Sequence, residues 1–523
     1  MVGFIGVPIG HGIGKGGHEQ EADPPRLLLL SLDGFRYDYV TRLLELSKKR
    51  GLPCHVGRWA ELGVWAPQGV RSVFATKTLP AHYSIATGLY EESHGIVENA
   101  LVTPGQPTVN LQSGSAGGEA ERDVNALVRF FHGEPLWLTV ARQRGLDRVA
   151  CYQWFGCHLP VGGVQLRQHV PFDLKRTCEQ MVAQITQWLA DDGIQLVMAY
   201  FPEPDRTAHG KGTSSSEVDD MLLQLDSCLG GMVNVLEASR VNVLLVSDHG
   251  MVDFDERPVR VPNNTDLYTV RYADYSELLI EPVAGKTEET LVALNGIEGV
   301  KAYLKSELPA AWHYGHNVHV SQVLAVADMP KELVVGESEP TGLKAGHGYD
   351  PAQTLMRPLL VGHGPAFPQA LRLDAAPEEQ AELSLVDVYE LACQLLLLRP
   401  APNNGSVELV RRLLRSTHSS SSSSTDPRHS PSSGLTSPAA NALAVAAVFL
   451  AVSIAFSFVV FYNCTSRNRV DVGRDVERGV ELTSRDALSR PLLTTAGDGS
   501  GSSDEESVLG DDILSVIMNR RQN

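Results

Sequence analysis

The sequence predicts an α/β protein built on a doubly wound sheet, and three observations carry that prediction. LLLLSL (27–32), IQLVMAYF (194–201) and VNVLLVS (241–247) are apolar runs bounded by turn residues, the pattern of strands buried on both faces. Amphipathic helical periodicity at 174–191 and 216–237 falls between them, and strands alternating with helices imply that architecture. Each run also leads into an acid: Asp33, then Glu203-Pro204-Asp205, then Asp248. In open α/β sheets ligands sit beyond the carboxyl ends of strands, where these acids fall.

The chain has 523 residues, 43% of them hydrophobic and 20% charged, so it can bury a large core. Its net charge of −18 argues against a nucleic-acid polymer as partner, because phosphate contacts need a basic face. For a small ligand the overall sign matters little, since the charges local to its site dominate the field there. Seven cysteines include no Cys-x-x-Cys pair, so a thiolate zinc cluster is not expected. Cys464 follows an apolar run and is either a palmitoylation site or a spectator thiol. The other six permit disulfides whose pairing the sequence leaves open.

Residues 1–25 are glycine-rich and expected to be unstructured. GHGIGKGG (10–17) follows no strand and lacks GK[ST], so it is not a phosphate loop. Residues 26–410 read as the catalytic domain, with a smaller inserted subdomain at 260–345. There LVALNGIEGVKAYLK and QVLAVADM suggest short αβ pieces. The helical pattern SLVDVYELACQLLLL (384–398) and a PAPNNG turn close the unit. Residues 416–441 form a Ser-rich stalk that cannot bury apolar area. Next come 21 uncharged residues, Ala442 to Tyr462, enough at 1.5 Å each for a single span of a core about 30 Å thick.

Arg467, Arg469, Arg474 and Arg478 follow the span and place residues 463–523, a polar tail expected to be disordered, in the cytoplasm. The catalytic domain then lies outside, as in a single-pass type I plasma-membrane protein. That topology calls for an N-terminal signal, and Val2–Ile9 is too short and glycine-broken for an apolar signal core. The domain type and the arginine bias outweigh it.

The chemistry centres on RSVFATKTLPAHYSIATGLYEESHGIVEN (71–99). A threonine hydroxyl needs a base or a metal to become a nucleophile. SLDGF (31–35), EPDRTAH (203–209), SDHGM (247–251) and GHGYD (346–350) offer the acids and imidazoles for a metal. Asp205 and His209 stand at i and i+4, so one helical turn presents both to a single point. Asp248 and His249 are adjacent, which requires a sharp turn that Gly250 would provide. Taken singly, an aspartate after a strand is more often a helix cap, and a histidine an ordinary hydrogen-bonding residue.

These blocks, with VGHGPAFP (361–368) and RPAPNNGS (399–406), resemble the ectonucleotide pyrophosphatase/phosphodiesterase family of the alkaline phosphatase superfamily. The likeness runs from about Leu27 to Ser406 and implies that superfamily's mixed sheet. It further implies two zinc ions, one held by Asp33, Thr78, Asp248 and His249, the other by Asp205, His209 and His347. Thr78, the second threonine of TKT, would be the nucleophile with Thr76 its decoy, and Asn99 would steady a phosphate oxygen in the transition state. Three positions depart from the family pattern: Ala81 where many members have Asn, ALVTP after Asn99 where an aromatic-Asp-Pro is common, and Pro351 for Asn.

The family stacks its base on aromatic rings, for which Phe74 and Trp154 are the candidates, with Tyr152 and Phe155 next; Trp154 is equally expected to be mere packing. The leading expectation is a cell-surface enzyme cleaving dinucleoside polyphosphates and related nucleotides to nucleoside 5′-monophosphates. Its rivals are a choline-phosphodiester or lysophospholipid hydrolase of the same family, and a non-catalytic adhesion or signalling protein that kept the fold. An outside domain predicts N-glycans at Asn263 and Asn404, with Asn463 bare at the cytoplasmic edge of the span. Endoglycosidase treatment of protein from a secretory host should remove mass at the first two; no shift would count against an outside domain.

Overall fold

The computed structural model describes residues 24–101, 109–110, 128–373 and 382–415. Along the chain come strands β1 (Leu27–Leu32), β2 (Val64–Trp65), β3 (Val149–Tyr152), β4 (Gln168–Val170), β5 (Leu196–Phe201), β6 (Asn242–Val246), β7 (Tyr268–Ala273), β8 (Glu277–Pro282), β9 (Val300–Leu304), β10 (Val323–Ala327), β11 (Leu360–His363) and β12 (Leu371–Arg372). The main sheet has eight strands in the order β12-β2-β11-β6-β1-β5-β3-β4. β1 lies at its centre, parallel to β5 and β6, with Leu27 opposite both Leu196 and Asn242. β11 runs antiparallel to β6 and β2, so the sheet is mixed.

All six residues of β1 are buried. Leu27 and Leu29 join the apolar cluster on one face, and Leu28, Leu30 and Leu32 the cluster on the other. Burial on both sides is why the strand reads as an uninterrupted apolar run rather than an alternating one.

The helices that matter to the site are α1 (Tyr39–Arg50), α2 (Thr78–Thr87), α3 (Cys178–Ala190), α4 (Asp205–Lys211), α5 (Ser216–Leu229) and α6 (Asp387–Leu395). α3 starts in a capping box: Thr177 accepts from the Gln180 N–H while the Gln180 side chain accepts from the Thr177 N–H. The single helix expected over 216–237 is instead broken after Leu229 at Gly230-Gly231, the poorest helix-forming pair in the segment. The expected subdomain is present as an antiparallel sheet, β7-β8-β10-β9, with a helix at Thr287–Asn295.

Cys151 pairs with Cys157 and Cys178 with Cys228, while Cys54 and Cys393 are free thiols. Asn263 and Asn404 are exposed. Among the described residues no helix is long and apolar enough to cross a membrane. Residues 1–23, the stalk, the expected span at 442–462, Asn463, Cys464 and the tail lie outside the described residues.

Gly250 does not supply a left-handed turn, contrary to the sequence expectation; its role is close approach. Its N–H donates to the Met356 carbonyl at 3.0 Å, and a Cβ there would stand 1.9 Å from the Leu355 carbonyl oxygen. Backbone cannot swing aside as a side-chain tip can. Gly250→Ala should therefore cost about 1–3 kcal/mol or more, visible as a lower urea midpoint; an unchanged midpoint would show that this crossing has slack.

Candidate active site

Three parallel strands deliver the acids to one edge of the sheet. Asp33 follows β1, and its N–H donates to Phe201 O at the end of β5 (2.9 Å). The Asp205 N–H donates in turn to Asp33 O (3.1 Å), tying the start of α4 to the end of β1. Asp248 follows β6, and its Oδ1 accepts from Gly34 N–H, His249 N–H and the Ser247 hydroxyl at 3.0–3.2 Å. Its other oxygen, Oδ2, lacks a hydrogen-bond partner, as do Asp33 Oδ1 and Asp205 Oδ1, and all three atoms are buried.

The histidines are oriented to match. His209 Nδ1 lies 2.8 Å from Ala345 O, His249 Nδ1 2.9 Å from Gly250 O, and His347 Nδ1 2.8 Å from Thr76 O. A carbonyl can only accept, so each Nδ1 carries a proton, and it is the Nε2 of each neutral ring that presents a lone pair. His249 Nε2 stands 3.3 Å from Asp33 Oδ1 and 3.2 Å from Asp248 Oδ2. His209 Nε2 lies 3.3 Å from Asp205 Oδ2, and His347 Nε2 3.7 Å from Asp205 Oδ1. Two donor sets have all their atoms within 4.8 Å of one another: Asp33, Asp248 and His249; and Asp205, His249 and His347. His249 thus belongs to both sets, and His209 adjoins the second through Asp205 and through its ring, 5.1 Å from that of His347.

The electrostatics call for a cation. Among the described residues, the ion-pair partners of these three carboxylates are imidazoles only. Burial, then Asp248 and Asp205, push the Asp33 carboxyl well above its ordinary range. Burial works against charge on the His209 and His249 rings, yet Asp205 and Asp248 beside them raise both. Burial and then His249 take His347 down to about 3. Orphaned carboxylate oxygens facing imidazole lone pairs form the oxygen and nitrogen donor set that suits zinc.

Thr78 opens α2, and its Oγ1 sits 3.5 Å from His249 Nε2. Asn99 Oδ1 accepts from the Leu79 N–H (3.0 Å), which leaves its NH2 group free to donate elsewhere. The decoy Thr76 is fully buried and committed: its hydroxyl donates to Tyr349 O and accepts from Gly348 N–H, both at 2.9 Å.

The expected base-stacking rings do not stand open. Phe74 is 1% exposed, stacked on Trp312 at 4.0 Å with Tyr314 against its edge. Trp154 is 2% exposed and packs edge-on behind His82, and Tyr152 is buried as well. Phe155, the remaining reserve, packs against Phe131 and Tyr83. Phe172 instead keeps an exposed part and lies 6.0 Å, ring to ring, from Tyr200, whose hydroxyl donates to Asp33 Oδ2 at 2.5 Å.

Sequence reasoning missed Tyr200 and His82. The latter's Nδ1 faces Thr78 O at 2.7 Å and Asp248 Oδ2 at 3.5 Å, with Nε2 on the Ser31 hydroxyl. The signal was positional: Tyr200 sits in the strand before Asp205, and His82 one turn after Thr78.

The family model described as type I phosphodiesterase / nucleotide pyrophosphatase matches residues 27–350. Human bis(5′-adenosyl)-triphosphatase ENPP4 is 32% identical over 403 residues, covering 75% of this chain and 82% of that protein. Human ectonucleotide pyrophosphatase/phosphodiesterase family member 5 is 30% identical over 406 residues, covering 76% and 79%. The solved structure of an inactive form of murine ectonucleotide pyrophosphatase / phosphodiesterase 5 in complex with AMP superposes with a TM-score of 0.64 at 29% identity, covering 75% of this chain and all of that one. The acids and imidazoles at the strand ends therefore lie within a shared fold and a shared sequence, and the chain belongs to the ectonucleotide pyrophosphatase/phosphodiesterase family of hydrolases.

Proposed function

We propose that this chain is a two-zinc nucleotide phosphodiesterase that works at the cell surface through a phosphothreonyl intermediate. The observation that carries the reading is the convergence of Thr78 Oγ1, three imidazole lone pairs and three orphaned carboxylate oxygens on one buried edge. Asp33, Thr78, Asp248 and His249 would hold one ion, and Asp205, His209 and His347 the other. Zinc so held would lower the pKa of the Thr78 hydroxyl and offset charge on the phosphate.

The residues themselves do the rest. Thr78 Oγ attacks phosphorus in line; its proton passes to solvent, and the bond from phosphorus to the leaving oxygen breaks as Oγ–P forms. Asn99, with Oδ1 held by Leu79 N–H, donates from its amide to a phosphate oxygen. The N-terminal end of α2 adds a positive dipole at the same place. Water then cleaves Oγ–P and releases a nucleoside 5′-monophosphate. Dinucleoside polyphosphates are the substrates proposed, supported by the relatives named bis(5′-adenosyl)-triphosphatase. The rival choline head group calls for a free anion between aromatic faces. Asp274, beside Tyr272 and Tyr275, is already engaged by Lys77 at 3.4 Å.

Thr78→Ala should abolish turnover while the protein still binds two zinc ions, and Thr78→Ser should keep part of the rate because the hydroxyl remains. Kinetics with elemental analysis decide it: near-normal activity in the Ala variant would sink the covalent step. Loss of zinc without loss of activity would sink the metal assignment.

Phe172 is the ring proposed to face the base. Phe172→Ala should lower kcat/KM for diadenosine triphosphate about ten- to a hundredfold, the equivalent of roughly 1–3 kcal/mol of stacking. A p-nitrophenyl phosphodiester lacking a base should be scarcely affected. Equal losses on both substrates would make the ring structural.

A further inference from the structure

Lys77 immediately precedes the proposed nucleophile, yet its side chain is 1% exposed and points away from solvent. Its ammonium lies 2.7 Å from Glu98 Oε2, 2.5 Å from Glu277 Oε1 and 3.4 Å from Asp274 Oδ2. The Tyr272 ring faces it at 5.1 Å, and the Tyr314 hydroxyl donates to the other Glu98 oxygen at 3.2 Å. Glu98 and Glu277 are fully buried, so the ammonium is fixed from several directions rather than free to reach substrate.

The neighbours of this cluster along the chain are what give it meaning. Lys77 is followed by Thr78, and Glu98 by Asn99. Gly348 follows His347, and a Cβ on Gly348 would stand 3.2 Å from Lys77 Cε, so that backbone lies against the lysine stem. One buried ammonium is therefore one residue from the nucleophile, one from the asparagine across a 2.7 Å ion pair, and in contact with the segment carrying a metal ligand. Asp274, in the turn between β7 and β8, and Glu277, the first residue of β8, face the ammonium from the smaller sheet.

We propose that the Lys77–Glu98 pair is a positioning element that sets the spacing between the Thr78 hydroxyl and the Asn99 amide. The inference rests on the assignment of Thr78 and Asn99 under Proposed function. A buried ion pair is a poor source of net stability, because desolvation offsets the attraction. It does fix geometry, and a displacement of about 1 Å at a reacting centre costs on the order of a hundredfold in rate.

The test compares wild type, Glu98→Gln, Glu277→Gln, Asn99→Ala and the Glu98→Gln/Asn99→Ala double variant. Hydrolysis of p-nitrophenyl thymidine 5′-monophosphate, zinc content and thermal midpoint are measured for each. Glu98→Gln should lower kcat at least about tenfold with KM within about threefold and zinc content unchanged. In the Asn99→Ala background the same change should cost less than about threefold, because the group it positions is gone. Glu277→Gln removes an equal charge from the same ammonium but borders no catalytic residue; it should lose less than about threefold in kcat, whatever its thermal midpoint.

Wild-type kcat in Glu98→Gln, multiplying losses in the double variant, or an equal kcat loss in Glu277→Gln would each overturn the proposal. If Glu98→Gln does not fold, Glu98→Asp carries the test: it keeps the charge, withdraws it by one methylene, and should also lower kcat rather than raise KM, unchanged kcat overturning the idea. An inactive wild type overturns the proposed function itself, an outcome distinct from an active wild type whose variants fail to separate.

Discussion

Three carboxylates held together in a nearly water-free interior are the constraint on which the rest of this structure turns. Asp33 and Asp248 are at most 3% exposed and Asp205 is 8% exposed. Gathering like charges out of water is strongly unfavourable unless something of opposite sign is fixed among them. The surroundings divide the task. Backbone N–H groups and the Ser247 hydroxyl satisfy one oxygen of Asp248, and the Tyr200 hydroxyl satisfies one of Asp33. The remaining oxygens are left to face imidazoles whose tautomers are set by backbone carbonyls. Rigid strand ends bear the acids, so repulsion cannot relax by spreading the chain.

The smaller sheet is part of the same arrangement rather than an appendage. It contributes Asp274 and Glu277 around Lys77, and Tyr275, whose ring packs near His209 and His347. Trp312 and Tyr314 close over Phe74 just ahead of the TKT segment. The loop carrying the nucleophile is thereby held from the main sheet on one side and from the antiparallel sheet on the other.

Much of this was legible in the amino-acid sequence, for identifiable reasons. β1, β5 and β6 are buried on both faces and so appear as continuous apolar runs, and an acid at the end of such a run has few bland explanations when several recur in order. The i, i+4 placement of Asp205 and His209 follows from helical geometry alone. What sequence cannot reveal is which face of a ring or which side of a turn is covered. Phe74 and Trp154 lie close to the right segments, but Trp312 stacks on the face of Phe74, and Trp154 is buried edge-on with His82. The setting of Lys77 within TKT is not legible locally, because its three acidic partners come from residues 98, 274 and 277. Gly250 was read as a turn-maker, when its lack of a side chain serves a crossing with residues 355–356.

The register of the central strand has a consequence for how the molecule comes into being. Leu27 pairs with Leu196 and with Asn242, so the first strand made is the middle of the sheet and its two partners are synthesised long afterwards. At about 5–20 residues per second the wait is on the order of ten to forty seconds. Until β5 is made neither backbone edge of β1 has its native strand to pair with, and the second edge waits for β6, although residues such as Tyr39 and Leu43 are available to one of its faces much earlier. His347 emerges later still, so the acids can gather well before the full set of acids and imidazoles is complete. The topology therefore places the exposure of unpaired strand edges in the interval before residue 246 is made rather than in the finished fold.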